Sequence, residues 1–412
     1  MALVNKNFSD IITFTRASTA TFFNSAGVLT SAATNAPRFD YNPSTLAAQG
    51  LLIEEARTNF FTNASGASLG TIGTGTVSGP DGVNCRTFIP TAGVTSFPNI
   101  TGPVQTFSLS VGQTVDWALS GWIAAGPVGS ITLEPRFVFN VSVNNVSSFI
   151  YAELQINTSS WTVRTKVLAA QITEVSAPTI TLFKPGLYRV TWVVRFTQDA
   201  TGRNNITASI QARDTANSGT YTADGVSGLQ YTLCQAETGS FPTSTIPTTT
   251  TALTRAADVA SVNTLNPWFN ASAGTLFAEA TPNTPTGNAA NQSVVSLDDA
   301  TNNNRIQPFR NASSGLPGAI IAAGGVNQYT PSVAITWNQN ATGKIALAYS
   351  SGNNMFSFNG TNDTGGTGTI PTVTRMTIGA RADGGIIWNG YLRRISYYPR
   401  RLSNAELVSI TS

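Results

Sequence analysis

Hydrophobic residues recur at every second position in many short segments of this chain. In one such segment Tyr188, Val190, Trp192 and Val194 share a face, and mostly polar residues occupy the other face. A period of two is the pattern of an antiparallel strand with one buried side. Similar runs, separated by turn residues, occur at 107–111, 117–123 and 132–141. This pattern predicts a sandwich or jelly roll over residues 61–250.

The same alternation resumes in the last part of the chain. It predicts strands at 274–280, at 333–337 and, after Gly384 and Gly385, at 386–388. The chain closes with the one segment that predicts a helix, because Ser403 and Glu406 have the spacing of a capping box. Leu402, Leu407 and Ile410 give this helix an apolar stripe. Since it is short, we expect packing on a sheet to hold it.

Residues 241–251, FPTSTIPTTTT, are the clearest boundary in the chain. Proline and threonine make this segment stiff and polar, which is typical of a connector. A hairpin signal lies earlier, where Asn24–Gly27 separates two apolar pairs, and a short apolar strand is predicted at 50–54. The predicted class is therefore all-β, with two jelly-roll or β-sandwich domains and one short C-terminal helix. The predicted parts are an extended N-terminal leader at 1–60, a first jelly roll at 61–250 and a second at 251–412.

Composition narrows the possible functions. Only 10% of the residues are charged, the net charge is +3, and no run of Lys or Arg could follow a phosphate backbone, so nucleic-acid binding is not expected. The start of the chain shows no apolar signal core, and no apolar stretch is long enough to insert into a membrane. We expect Cys85 and Cys234 to be free, buried thiols of a protein assembled in a reducing cytoplasm. Their pairing remains the alternative.

Three segments resemble known families. Residues 14–59, FTRASTATFFNSAGVLTSAATNAPRFDYNPSTLAAQGLLIEEARTN, resemble the leader of tailed-bacteriophage tail-fibre and head-spike proteins. LSGW at 119–122, PGLYRV at 185–190 and QAETGSFPTS at 235–244 are similar to jelly-roll modules of the carbohydrate-binding kind. Residues 390–407, GYLRRISYYPRRLSNAEL, look like the closing strand and helix of concanavalin A-like, laminin-G-like jelly rolls. Such a fold hosts many roles, so it does not fix a function.

These resemblances imply a virion surface protein, assembled in the host cytoplasm, that displays sugar-binding folds and is often a trimer. The implied partners are other phage capsid or tail proteins and a host cell-surface polysaccharide. We also expect a homotrimer because an extended leader with little core of its own needs a partner to bury its apolar residues. The virion-anchoring candidates in the leader are Phe14, Arg16, Phe22, Phe23 and Arg57.

The sequence is poor in catalytic groups. There is no histidine, which excludes Ser-His-Asp and Cys-His arrangements. The adjacent Glu54 and Glu55 would point to opposite faces of a strand and could not flank one glycosidic bond. We therefore expect a protein that is not an enzyme and needs no cofactor, with a glycan depolymerase as an alternative.

Calcium is a further alternative. Asp298, Asp299 and Asn302 carry the oxygen ligands that calcium accepts, and so do Asp363 and Asp383. The competing interpretation is that Asp and Asn at these positions serve turn geometry.

Carbohydrate binding requires an aromatic face for the C–H groups of a sugar and polar side chains for its hydroxyls. In the last module the candidates are Trp268, Trp337 and Trp388, with Asn389 and Asp383 beside Trp388. The competing interpretation is that these tryptophans belong to the sandwich core, as expected for Trp117, Trp122 and Trp192. Three hypotheses therefore stand: an appendage that binds a host glycan, an architectural capsid or tail decoration protein without a ligand, and a depolymerase.

Overall fold

The strands of the chain form two β-sandwiches, which confirms the predicted all-β class. The computed structural model describes residues 8–62, 67–215, 221–287 and 291–412. The leader contains α1 Phe8–Ile11, β1 Thr13–Thr15, β2 Ala20–Phe23, β3 Leu29–Ala32, β4 Phe39–Tyr41, β5 Ala48–Ile53 and β6 Arg57–Asn59. The middle part contains β7 Ala67–Ser68, β8 Gly70–Ser78, β9 Asn84–Pro90, β10 Asn99–Thr101, β11 Gln105–Thr106, β12 Thr114–Ala125, β13 Leu133–Val143, β14 Ser147–Asn157, β15 Thr162–Leu168, β16 Ile172–Lys184, β17 Leu187–Thr197, β18 Asn205–Asp214 and β19 Leu229–Thr238. The last part contains β20 Leu253–Arg255, β21 Val259–Val262, β22 Ala273–Pro282, β23 Gln292–Ser293, β24 Val295–Asp298, β25 Arg305–Arg310, β26 Pro317–Ala323, β27 Val326–Tyr329, β28 Gly343–Ser350, β29 Met355–Phe358, β30 Thr361–Asn362, β31 Arg375–Ile378, β32 Gly390–Tyr398 and α2 Asn404–Thr411.

The middle sandwich consists of two antiparallel sheets. One has the order β15-β14-β13-β18-β10-β7, with β11 paired to β18, and the other has the order β16-β17-β12-β19-β9-β8. The alternation in β17 has the predicted effect, because Val190, Trp192 and Val194 are buried in the core between the sheets. The opposite face of β17 carries Arg189 and Arg195 and forms the outer surface of the six-stranded sheet.

The last sandwich has strands of the leader in both of its sheets. One sheet runs β1-β21-β31-β24-β25-β26-β27, with β23 paired to β25, and the other runs β30-β29-β28-β22-β32-β5-β4. Phe14 of β1, together with Leu51 and Ile53 of β5, lies in the core of this sandwich. The leader therefore buries these apolar residues within its own chain.

Three segments predicted as strands have irregular backbone, 107–111, 333–337 and 386–388. In the first, the strand ends at Thr106, and Phe107 and Leu109 pack against the core of the middle sandwich from irregular backbone. The two later segments each bury a tryptophan in the core, but their amides pair outside any strand ladder. Trp337 N donates to Gly315 O at 2.7 Å, and Trp388 N donates to Gly379 O at 2.8 Å. At 386–388 a positive φ of 49° at Ile386 also interrupts an extended chain.

The predicted C-terminal helix is confirmed as α2, and its capping box is complete. Ser403 Oγ accepts from Glu406 N, and Glu406 Oε2 accepts from Ser403 N at 2.7 Å. Leu402 and Leu407 are buried against one sheet of the last sandwich. No helix in the described ranges is long and apolar enough to cross a membrane. Cys85 and Cys234 are buried and are not joined by a disulfide, as predicted.

Candidate functional site

A buried ionic cluster joins the leader to the last part of the chain. Arg16 Nη1 lies 3.0 Å from Asp258 Oδ1, and Arg38 bridges Asp258 and Glu54, with 2.8 Å to Glu54 Oε2. Arg255 Nη1 lies 3.1 Å from Glu54 Oε2. Because the side chains of this cluster are almost completely buried, each charge depends on its partners for stabilisation.

The predicted connector belongs to the same junction and is not a free linker. Ser244 N donates to Glu54 Oε1 at 2.8 Å, and Ser244 Oγ donates to Glu54 Oε2 at 2.6 Å. Thr243 N donates at 2.7 Å to Glu237 Oε1 of β19. Phe241 and Ile246 are buried. The connector therefore fixes the middle sandwich, through Glu237, to the leader, through Glu54.

Beside this junction a cleft of about 600 Å³ lies between the outer face of the six-stranded sheet, the leader and the last part of the chain. All three parts contribute to its walls. The middle part supplies Trp122, Ser176, Ala177, Thr179, Thr181, Leu182, Phe183, Arg189, Thr191 and residues 240–245. The leader supplies Thr21, Phe22, Phe23, Leu29, Asp40, Asn42, Pro43, Ser44, Gln49, Leu52 and Glu54, and the last part supplies Thr281, Asn283, Pro285, Gln339, Asn340 and Tyr391.

Aromatic rings connect the leader hairpin to the sheet in this cleft. Phe23 packs on Phe183 with ring centroids 5.7 Å apart, and Phe183 meets the edge of Trp122 at 6.4 Å. The Arg189 guanidinium lies over the Trp122 ring, 5.1 Å from its centroid. Phe23 and Phe183 are half-buried, so these rings also present apolar surface to the cleft.

Two carboxylates underlie the cleft, and both are engaged by protein groups. Asp40 accepts from Phe23 N at 2.6 Å and from Tyr391 Oη at 2.9 Å, and burial raises its pKa. Glu54 is buried as well, but the Arg255 and Arg38 charges outweigh burial and lower its pKa to about 2. Glu54 is therefore an anion at neutral pH and already has its counter-charges.

Amide side chains surround the mouth of the cleft. Gln49 is half-buried, and Gln339 and Asn340 are exposed. Gln339 Nε2 donates to Asn283 O at 2.6 Å, which positions this amide. Amides and hydroxyls can donate hydrogen bonds to the hydroxyls of a polyhydroxylated ligand and accept hydrogen bonds from them. The apolar rings can contact the C–H face of the same ligand.

The structure does not bring the predicted sugar-contacting residues of the last module together around a cleft. Trp388 is 0% exposed and Trp337 is 1% exposed, and their rings pack against each other with centroids 5.0 Å apart inside the core. Asn389 accepts from Glu55 N at 2.8 Å and donates to Glu55 Oε2 at 3.1 Å, so it ties the last sandwich to the leader. The core interpretation therefore applies to both tryptophans, because neither ring is open to solvent.

The other two members of that set lie apart from this buried pair. Asp383 forms an ion pair with Arg381 at a surface turn and accepts from Asn302 at 2.8 Å. Trp268 is half-buried and packs edge-on against Tyr397 with centroids 5.2 Å apart. Neither lines the cleft.

The predicted virion-anchoring residues make contacts within the chain. Phe14 is in the core of the last sandwich, and Arg16 belongs to the ionic cluster. Arg57 lies over Phe241, 5.0 Å from the ring centroid, and Phe22 and Phe23 line the cleft. Burial of Phe14 inside its own chain removes one reason for expecting a trimer, and trimerisation itself stays a prediction.

The calcium candidates support turns in the structure. Asp298 accepts from Arg375 Nε at 2.7 Å, and Asp299 accepts from Asn304 Nδ2 at 2.8 Å. Asn302 donates to Asp383. Within the described ranges no group of three or more His, Cys, Asp or Glu side chains is placed to hold a metal ion. Calcium binding stays a prediction.

Sequence reasoning did not identify Arg189 or the amides of the leader as site residues. The alternation in β17 places Arg189 on the outer face, but a charged residue there usually faces solvent only. Pairing of β5 with β32, more than 300 positions later in the chain, brings the leader beside the last sandwich. No local pattern contains that information.

Comparison with known proteins gives distant similarities. No family model matches the chain, and no curated protein matches it. Among solved structures, the carbohydrate-binding module CBM40 of the Ruminococcus gnavus IT-sialidase is 18% identical with a TM-score of 0.30, over 35% of this chain and 84% of that chain. The SAP-like pentraxin of Limulus polyphemus is 16% identical with a TM-score of 0.29, over 36% and 79% of the two chains. Domains LG4-5 of the mouse laminin alpha1 chain are 11% identical with a TM-score of 0.25, over 85% and 92%.

Proposed function

We propose that this chain is a non-enzymatic structural protein of a bacteriophage surface and that its cleft binds a glycan of the host cell surface. The observation that carries the proposal is the lining of the cleft. Half-buried phenylalanine rings, threonine hydroxyls, planar amides and one guanidinium surround a space of about 600 Å³. This combination suits the alternating apolar and hydroxyl faces of an oligosaccharide.

Binding without turnover is supported by the state of the two carboxylates. Hydrolysis of a glycosidic bond requires one carboxyl group that can give a proton and one that can attack or activate water. Asp40 and Glu54 are 4% and 3% exposed, and their oxygens accept hydrogen bonds from protein groups. A bound sugar would therefore meet the rings and amides first and not a free carboxylate.

The place on the virion is supported by the resemblance of residues 14–59 to the leader of phage fibre and spike proteins. On this proposal the protein contacts capsid or tail proteins of the particle and forms a homotrimer. Localisation by antibody labelling and electron microscopy of intact particles tests this part. Particles without label would contradict it.

Glycan binding is tested on an array with the purified full chain and a cleft variant, Gln49→Ala/Gln339→Ala. We expect the double variant to lose about 10-fold or more in affinity for any glycan bound by the wild type, because it removes two amides at the mouth. The matched control is Gln328→Ala, which removes a half-buried amide on β27 outside the cleft. Its affinity should equal that of the wild type.

The same preparation distinguishes the competing functions. Absence of binding to any glycan, together with label on particles, would favour the architectural protein without a ligand. Shortened chains after incubation with host polysaccharide would favour the depolymerase and contradict the proposal.

A further inference from the structure

Arg189 is a cation in the wall of the cleft. It forms no ion pair with any carboxylate of the described residues, and the hydrogen bond it makes, from Nη2 to Thr243 O, is 3.5 Å long. Its Nε is buried and has no hydrogen-bond partner within the described ranges. Burial lowers the pKa of this guanidinium, although it stays charged at neutral pH. A charge in such a position is costly unless an anion accompanies it.

The carboxylates around Arg189 are committed to other partners. Glu54 contacts Arg38 and Arg255, and Asp40 accepts from Phe23 and Tyr391. Glu237, on the same face of the sheet, accepts from Thr243 N at 2.7 Å and from Gln235 Nε2 at 2.7 Å. Their charges raise the pKa of Arg189 against the effect of burial, but none of them forms an ion pair with the guanidinium.

Arg195 lies on the same face of β17 as Arg189, but it has a carboxylate partner. It lies outside the cleft and makes a bidentate ion pair with Asp116, with distances of 2.6 and 2.8 Å. Arg189 instead has its Cζ over the Trp122 ring, 5.1 Å from the ring centroid, which is a favourable cation–π contact. The planar fork of a guanidinium matches the two oxygens of a carboxylate.

We infer that the cleft selects glycans that carry a carboxylate and that Arg189 binds this group. This inference rests on the proposed glycan-binding function and names the class of sugar: residues with a carboxyl group, such as uronic acids. Thr179, Thr181 and Thr191 line the cleft around Arg189 and are placed for neighbouring sugar hydroxyls. The Thr179 and Thr191 hydroxyls lie 2.6 Å apart, so they form a linked pair of donors and acceptors.

The test compares Arg189→Gln with the wild type on an array that contains carboxylated and neutral glycans. We expect the wild type to prefer carboxylated glycans, and the variant to lose about 10- to 100-fold in affinity for them, as for a charge-assisted hydrogen-bonded pair. Arg189→Lys keeps the charge but not the fork, so it should fall between the two. The control Arg195→Gln should bind like the wild type.

Each outcome separates this inference from the proposed function. Binding of neutral glycans with an affinity that Arg189→Gln leaves unchanged would overturn the carboxylate preference and leave glycan binding intact. If the array shows no binding at all, the proposed function fails, and the anion site is tested alone with D-glucuronate. The Arg189 Nε–H resonance should then shift with D-glucuronate and not with D-glucose. No shift would overturn the inference as well.

Discussion

Replacement of Glu54 by glutamine tests the ionic cluster that joins the leader to the last part of the chain. The pKa of Glu54 falls from its ordinary value of 4.5 to about 2 in the folded protein. Each pKa unit corresponds to about 1.4 kcal/mol, so the ionised carboxylate contributes about 3 kcal/mol to folding at neutral pH. Glutamine removes this contribution and leaves Arg38 and Arg255 with one fewer anion. Because both cations are buried, we expect Glu54→Gln to lower the free energy of unfolding at pH 7 by about 3–5 kcal/mol.

The pH dependence gives a second, independent readout. Since the folded pKa of Glu54 is depressed, its contribution is complete above pH 4.5 and is lost as the pH falls towards 2. At pH 3 about 2 kcal/mol of it should be gone in the wild type and nothing comparable in the variant. Burial raises the pKa of Asp40 and of Glu237, which changes stability in the opposite direction. Wild type and variant are therefore compared at each pH.

The assay is urea unfolding at pH 7 and pH 3, followed by tryptophan emission. Glu279→Gln is the control, because the Glu279–Arg393 pair is 3.9 Å long and partly exposed, and it should cost less than about 1 kcal/mol. The reasoning is refuted if Glu54→Gln has the wild-type urea midpoint at pH 7 and shows the wild-type change in midpoint between pH 7 and pH 3. The ionic cluster would then not stabilise the contact between the leader and the last part of the chain.

Two further predictions concern the packing of the middle part. Gly239 has a φ of +136°, which L side chains rarely adopt, and an added Cβ would also displace the Arg57 guanidinium, so Gly239→Ala should lower the urea midpoint. Gly73→Ala, with nothing within 4 Å of the added methyl group, should leave the midpoint nearly unchanged, and equal midpoints for both variants would contradict this packing. Burial raises the pKa of the Cys85 thiol to about 11 and also raises that of Cys234, so neither should react with a thiol reagent at pH 8 until urea unfolds the chain. Labelling of the native protein, detected by mass spectrometry, would refute this burial.

Local patterns in the sequence predict the strands and the helix well because these elements depend on near neighbours. Alternation identifies the buried face of β17, and the Ser403–Glu406 spacing identifies the start of α2. The same alternation misassigns 333–337, because a buried irregular segment that carries Trp337 has the same apolar residues as a strand. Hydrophobic periodicity reports burial, and it reports strand geometry only where the amides also pair in a ladder.

The site depends on information that no local pattern holds. A tryptophan in a polar sequence is more often a core residue than a sugar platform, but both occur, so composition alone does not decide the role of Trp388. The structure shows that Trp388 is fully buried, so it is a core residue. The cleft exists because β5 pairs with β32 and because Glu54 and Glu237 both accept hydrogen bonds from the connector. These contacts are known only after the chain has folded.

The pairing of the leader also limits how the proposed attachment to a particle can occur. Separating the leader from the last sandwich would break the ladders of β1 and β5 and expose Phe14, as well as the buried charges of Arg16 and Arg38. Attachment must therefore use the outward side of the leader. That side includes Phe39, which is 44% exposed on β4, and β4 is the last strand of its sheet. An edge strand presents unpaired backbone donors and acceptors that a strand from another protein can extend.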